Sequence, residues 1–174
     1  RVEGSVWVPG RYTVKLEGAR VAGYQTVGLA LLRDRRYVRH AREWADDVTA
    51  RVTAQIIERM GLAAQDFTVE LRLIGIDATL GPLENRRALP AEVGVLGILT
   101  CPTEAQATEA GKMLNPYLLH HALTEDEPMP TFAFPFSPAE MQRGALYEFC
   151  LNHVMELDDP MSAFTLDVHE VCHG

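Results

Sequence analysis

The sequence predicts an α+β domain of ferredoxin-like plan, a split βαββαβ order with an additional N-terminal strand. The expected sheet is antiparallel, with the helices on one face. Three observations carry this expectation. Segments of alternating hydrophobicity recur along the chain, two segments switch to helical period, and from Tyr24 the order is strand, helix, strand, strand, helix, strand. No internal repeat stronger than this pseudo-twofold plan and no low-complexity stretch divides the chain, so residues 1–174 are read as a single α+β domain.

The elements follow in order. In "YTVKLEGARVAGYQTVGLALLRD", Val14 and Leu16 alternate with Lys15 and Glu17, which makes 14–19 the additional strand. Gly18 and Gly23 then bracket an expected turn before Val27, Leu29 and Leu31. Val38, Ala41, Ala45, Val48, Val52, Ile56 and Met60 recur every three or four residues, predicting one helix over 35–60 that Gly61 stops. Phe67, Val69, Leu71 and Leu73 alternate with polar residues in a strand over 66–76, and Gly81, Pro82 and Pro90 punctuate the loop that follows. "EVGVLGILTC" is apolar on both faces, as a central strand is. Thr103 is placed to cap a second helix, in which Pro116 predicts a kink or an early end. "TEDEPMP" reads as a surface connection, and "FAFPFSPAEMQRGALYEFCLNHVMELDDP" (132–160) as a long final strand.

Composition limits the function classes. With 47% hydrophobic and 23% charged residues the chain has the balance of a soluble domain, long enough to bury a core without staples. A net charge of −8 repels polyanions, so no nucleic-acid partner is expected despite the local basic group Arg33, Arg35, Arg36, Arg39 and Arg42. That group lies mainly between the apolar positions of its helix, as a solvated face does. Cys101, Cys150 and Cys172 are an odd number without paired spacing, which suits a reducing compartment. No apolar run is long enough for a bilayer and no signal peptide opens the chain; the expectation is a cytoplasmic protein with no membrane partner. Phosphate-loop, dinucleotide, C-x-x-C and G-x-S-x-G motifs are missing, and no cofactor is assigned.

Several residue groups carry chemistry, each with a plainer structural account. By strand alternation His153 shares a face with Tyr147, Phe149, Leu151, Met155 and Leu157. Its first explanation is a hydrogen-bonded core or interface histidine, and its functional one a general base at a pocket edge. His169, Glu170 and His173 spell H-E-x-x-H, yet the preceding residues build no clear helix to present a zinc set, so no metal site is assigned. Adventitious metal binding by His169, Cys172 and His173 stays open. His120 and His121 fall where a helix C-terminus favours imidazolium. Lys15 and Glu17 share a strand face as a solvated ion pair, with Arg20 nearby. Asp158 and Asp159 before Pro160 suggest a strand exit, two adjacent carboxylates being too few oxygens for a hard cation.

"YTVKLEGARVAGYQTVGLALLRD", "ELRLIGIDATLG", "FAFPFSP" and "YEFCLNHVMELDDP" occur in the order seen in the carboxy-terminal part of bacterial acyclic terpene utilisation proteins, which the chain resembles from about Tyr12 to Pro160. The resemblance to this AtuA family implies a longer protein with an amino-terminal α/β region, acting in catabolism of branched, terpene-derived acids or their CoA thioesters. Within it Glu17 joins His153 as a catalytic candidate. The implied partners are an acyl-CoA or branched carboxylic acid ligand, the amino-terminal region or a partner subunit, and further copies in a homo-oligomer. Two functions follow: an auxiliary enzyme domain of unassigned reaction, or a non-enzymatic assembly module. An apolar pocket holding Glu17 or His153 favours the first. An open strand edge or flat apolar sheet face favours the second.

Overall fold

A computed structural model describes residues 3–6, 10–86, 88–130, 132–159 and 161–170. It is α+β, with an antiparallel sheet of five strands and three α-helices. In chain order these are β1 (Tyr12–Leu32), α1 (Arg35–Arg39), α2 (Ala41–Met60), β2 (Thr68–Ile74), β3 (Val93–Cys101), α3 (Glu104–His120), β4 (Phe132–Ala133) and β5 (Glu140–Leu157). A 3₁₀ turn at Gly81–Leu83 lies in the connection between β2 and β3. The strand order is β2-β3-β1-β4, and β5 also pairs with β1, so two segments rather than one final strand follow α3. The chain divides into two compact units, Val21–Tyr147 and a second one made of Arg1–Arg20 with Glu148–Gly174.

The larger unit holds the core. β3 is central in pairing, with Gly97 opposite both Leu71 of β2 and Gly28 of β1. Its alternate residues Val93, Val95, Leu99 and Cys101 are buried, whereas Leu96 and Ile98 are only half-buried, so one face is sealed more tightly than the other. The helices pack on each other, α2 also on β2 and α3 also on β3. The expected apolar stripe of α2 is buried as Ala41, Ala45, Val48, Val52 and Ile56, joined by Trp44, and Leu114 and Leu118 of α3 complete it. Each of the valine, isoleucine and leucine side chains removed from water contributes about 1.5–3 kcal/mol before chain entropy is counted.

Caps stand where residue chemistry demands them. Thr103 accepts a hydrogen bond from the Gln106 amide at the start of α3, and Asp34 accepts one from the Arg36 amide at the start of α1. Gly61 ends α2 in the left-handed region (φ 67°), where a glycine costs little. The single helix expected over 35–60 is interrupted at His40 (φ −110°, ψ 25°). Helical bonds continue on either side of it, His40 N to Arg36 O at 3.1 Å and Trp44 N to His40 O at 3.0 Å, so the break is one residue wide. Pro116 does not end α3, which runs on to His120 with Leu114 and Leu118 fully buried on either side of the proline. Packing of that face outweighs the one donor that proline removes.

Two further expectations are corrected. Gly18 and Gly23 make no turn, and there is no separate additional strand: β1 is one continuous strand of 21 residues. Gly23 precedes the first residue of β1 that pairs with β3, Tyr24 opposite Cys101. A Cβ at Gly23 would lie 2.9 Å from Thr100 Cγ2 and 3.0 Å from the Cys101 carbonyl oxygen, so the glycine admits a neighbouring strand instead of reversing the chain. The stretch expected as one final strand begins with β4, paired to Leu31 and Leu32, leaves strand geometry through the FPFSP segment, and resumes as β5.

In the smaller unit, ion pairs join Arg11 to Glu156 at 2.6 Å and Arg20 to Glu148 at 2.6 Å. Numbers rise on one side as they fall on the other, so the pairing is antiparallel. Gly18 lets Leu151 close in, its Cβ lying 3.2 Å from where a side chain at 18 would begin. The result is a two-stranded ribbon. No helix among the described residues is long and apolar enough to cross a membrane.

Candidate functional site

His153 and Glu17 both lie in the ribbon, and both are exposed. His153 is not a core histidine: it is exposed, and its ring has no hydrogen-bond partner among the described residues. Glu17 holds Lys15 in an ion pair of 2.5 Å, with both side chains about half exposed, as the plainer reading expected. Arg20 instead pairs across the ribbon with Glu148, whose hydrogen bond and charge raise the guanidinium above its ordinary value. Neither Glu17 nor His153 lines any of three clefts among the described residues.

What the ribbon does present is apolar surface. Phe149 is 81% exposed, Leu151 45% and Met155 37%, and Val154 on the other face is 58% exposed. Tyr12 and Leu16 on the partner strand are also exposed. Large apolar side chains on a ribbon only two strands thick have nothing of their own to pack against. A trace of this is visible in the sequence, since Cys150 and Val154 place apolar residues on the second face of β5 as well. Glu148, Asn152 and Glu156 share that second face, so the pattern did not reveal that the strand lacks a core.

The other motifs resolve locally. His169 and Glu170 lie in irregular chain, with His169 3.5 Å from Asp167, while Cys172 and His173 fall outside the described residues. Among the described residues no three His, Cys, Asp or Glu side chains converge. Asp159 Oδ1 accepts a bond from the Met161 amide at 3.3 Å and its carbonyl one from the Ser162 amide, which makes a turn of that carboxylate pair. His121 does more than sit at a helix end. Its ring is 2.6 Å from Asp47, its carbonyl accepts the Trp44 indole N–H at 2.8 Å, and the chain after it is held by Tyr37, whose hydroxyl donates to Pro128 O at 2.8 Å. Asp47 is kept below the ordinary carboxylate range by hydrogen bonding to Arg51, with His121 adding to the effect. Cys101 is a buried free thiol that burial pushes up, which leaves it protonated and unreactive.

The arginine group is dispersed. Arg33 donates to Ala91 O at 2.7 Å, Arg36 bonds Asp34 and Glu127, and Arg42 pairs with Asp77. Arg39 reaches a cleft of about 680 Å³ that also includes Arg42, Asp77 and Arg86, with Ile74 and Leu89 as apolar wall. This cleft lies wholly in the larger unit, where the end of α1, the start of α2 and the connection from β2 to β3 meet. Sequence reasoning did not single it out, because its parts are separated by more than thirty positions in the chain.

Comparison of the chain with family models, with curated proteins and with solved structures found no match.

Proposed function

We propose that this chain is an assembly module, and that the ribbon of residues 11–20 and 148–157 is the part that engages a second copy. The observation that carries the reading is the exposed apolar run Phe149, Leu151 and Met155 on a ribbon with no core of its own. A second copy is taken as the occupant because an apolar ribbon face is its own complement about a twofold axis, and because the ribbon's charges are already satisfied within it, Arg11 by Glu156, Lys15 by Glu17 and Arg20 by Glu148.

The wider setting proposed is an AtuA-like protein of acyclic terpene catabolism in a reducing, cytoplasmic compartment, for which the quoted sequence stretches are the support. The ferredoxin-like plan is part of the same proposal. Its support is the β2–β3 hairpin inserted beside β1 and the helix on either side of that hairpin, with β4 and the extended ribbon as additions. The enzymatic alternative, with Glu17 and His153 as catalytic groups shared with an amino-terminal region, draws no support from the three clefts described above.

Light scattering after size exclusion tests the assembly reading. The expected result is a dimer for the parent chain and a monomer for the Phe149→Ser/Leu151→Ser variant, with circular dichroism of the two alike. A parent chain that stays monomeric at about 100 µM, a concentration well above the dissociation constant of a specific complex, defeats the reading. So does a variant that remains dimeric.

A further inference from the structure

We propose that the cleft formed by Arg39, Arg42, Asp77 and Arg86 is a binding site for a small organic monoanion, a carboxylate carried on a compact apolar body. Its volume of about 680 Å³ falls in the range of small-molecule sites, roughly 300–1,000 Å³. Its three guanidinium groups are not equivalent. Arg42 is neutralised by Asp77, whose side chain is only 18% exposed, so that pair is an anchored part of the wall. Arg39 and Arg86 have no acidic partner among the described residues, while Glu84 beside them spends one carboxylate oxygen on the Arg86 amide at 2.8 Å.

Two uncommitted guanidinium groups in one concavity of a chain with net charge −8 are an anion site against the field of the molecule. The carboxylates of Asp77 and Glu84 line the same cleft, which penalises a second negative charge on the ligand and selects a monoanion over phosphate or a polyphosphate. Ile74 and Leu89, 47% and 48% exposed, supply apolar wall that a ligand with a hydrocarbon body can cover. Planar guanidinium matches carboxylate geometry in two parallel hydrogen bonds, so carboxylate is the anion of choice. None of these residues belongs to the ribbon, and the site stands or falls apart from the assembly reading.

The test is a heteronuclear NMR titration with hexanoate as probe and hexan-1-ol and inorganic phosphate as comparators, on the parent chain and on Arg39→Gln, Arg86→Gln and Leu89→Ser. Hexanoate is expected to bind saturably, shifting amides of residues 38–42 and 74–90, with both comparators weaker by at least about tenfold. Each arginine substitution is expected to weaken hexanoate by about tenfold or more without moving the melting temperature, since both side chains are exposed. Leu89→Ser is expected to narrow the gap between hexanoate and phosphate. The proposal is overturned by shifts that do not saturate, by shifts confined to other residues, by arginine variants that bind as the parent does, or by phosphate binding as tightly as hexanoate.

Discussion

At the scale of single residues, exposure separates the side chains that hold the fold from those that do not. His153 and Glu17 stand in solvent on the ribbon, so His153→Ala and Glu17→Ala are expected to change unfolding free energy by no more than about 0.5 kcal/mol. A urea melt checks this; a loss of several times that size means His153 is packed after all. Asp34 is different, because it caps α1 and is bonded twice by the Arg36 side chain. That guanidinium, then the Arg36 amide, hold the Asp34 carboxyl below its ordinary value against the opposing effect of burial. A carboxylate depressed in the folded state stabilises fully above its unfolded value near about 3.9, and the contribution is lost as pH falls through the lower folded value. Asp34→Ala is therefore expected to cost about 0.5–2 kcal/mol near neutrality. The gap between parent and variant should hold down to about pH 5 and shrink only below about pH 3.9. A gap that narrows already between neutrality and about pH 5 contradicts the assignment.

At the scale of elements, close approach between α3 and β1 is set by glycine. A Cβ at Gly111 would lie 2.5 Å from Thr26 Cγ2, and Thr26 is fully buried in β1. Gly111→Ala must push α3 off the sheet or force a rotamer, which is expected to cost about 1–3 kcal/mol even though alanine is the better helix former. Denaturant unfolding of G111A measures it, and a stabilised variant shows that α3 has room to give. Helix existence was legible from apolar spacing, and both Thr103 and Gly61 were legible as boundaries because capping depends on neighbours within one turn. The break at His40 and the survival of α3 past Pro116 were not. Each is decided by which side chains the rest of the molecule buries, Tyr37 and Trp44 around the first and Leu114 and Leu118 around the second.

At the scale of the whole molecule, the two compact units differ in how their apolar surface is used. The larger closes its own around α2, α3 and one face of the sheet. The smaller leaves Phe149, Leu151 and Met155 in water, and the proposed dimer is the arrangement that removes them from it. If the ribbon assembles as proposed, the melting transition attached to it is concentration-dependent while that of the larger unit is not. The cleft around Arg39 and Arg86 is a second, separate consequence of folding, and its proposed ligand chemistry comes from charges left over after Arg33, Arg36 and Arg42 found partners.

The residue pattern by itself determined the α+β class, the two main helices with their caps, and the central place of the Val93–Cys101 strand. All of these rest on periodicity and on hydrogen bonds within a turn or a strand. Only the tertiary structure decided that Gly18 and Gly23 lie inside one unbroken strand, that His153 is exposed, and that Arg39 and Arg86 share a cleft with no acidic partner among the described residues. Those outcomes depend on what distant segments bring alongside: Thr100 and Cys101 beside Gly23, β1 pairing edge to edge with the strand that carries His153, and Asp77 paired with Arg42. A periodic pattern says which face of an element is apolar, and the partner that meets it decides whether that face becomes core, cleft or interface.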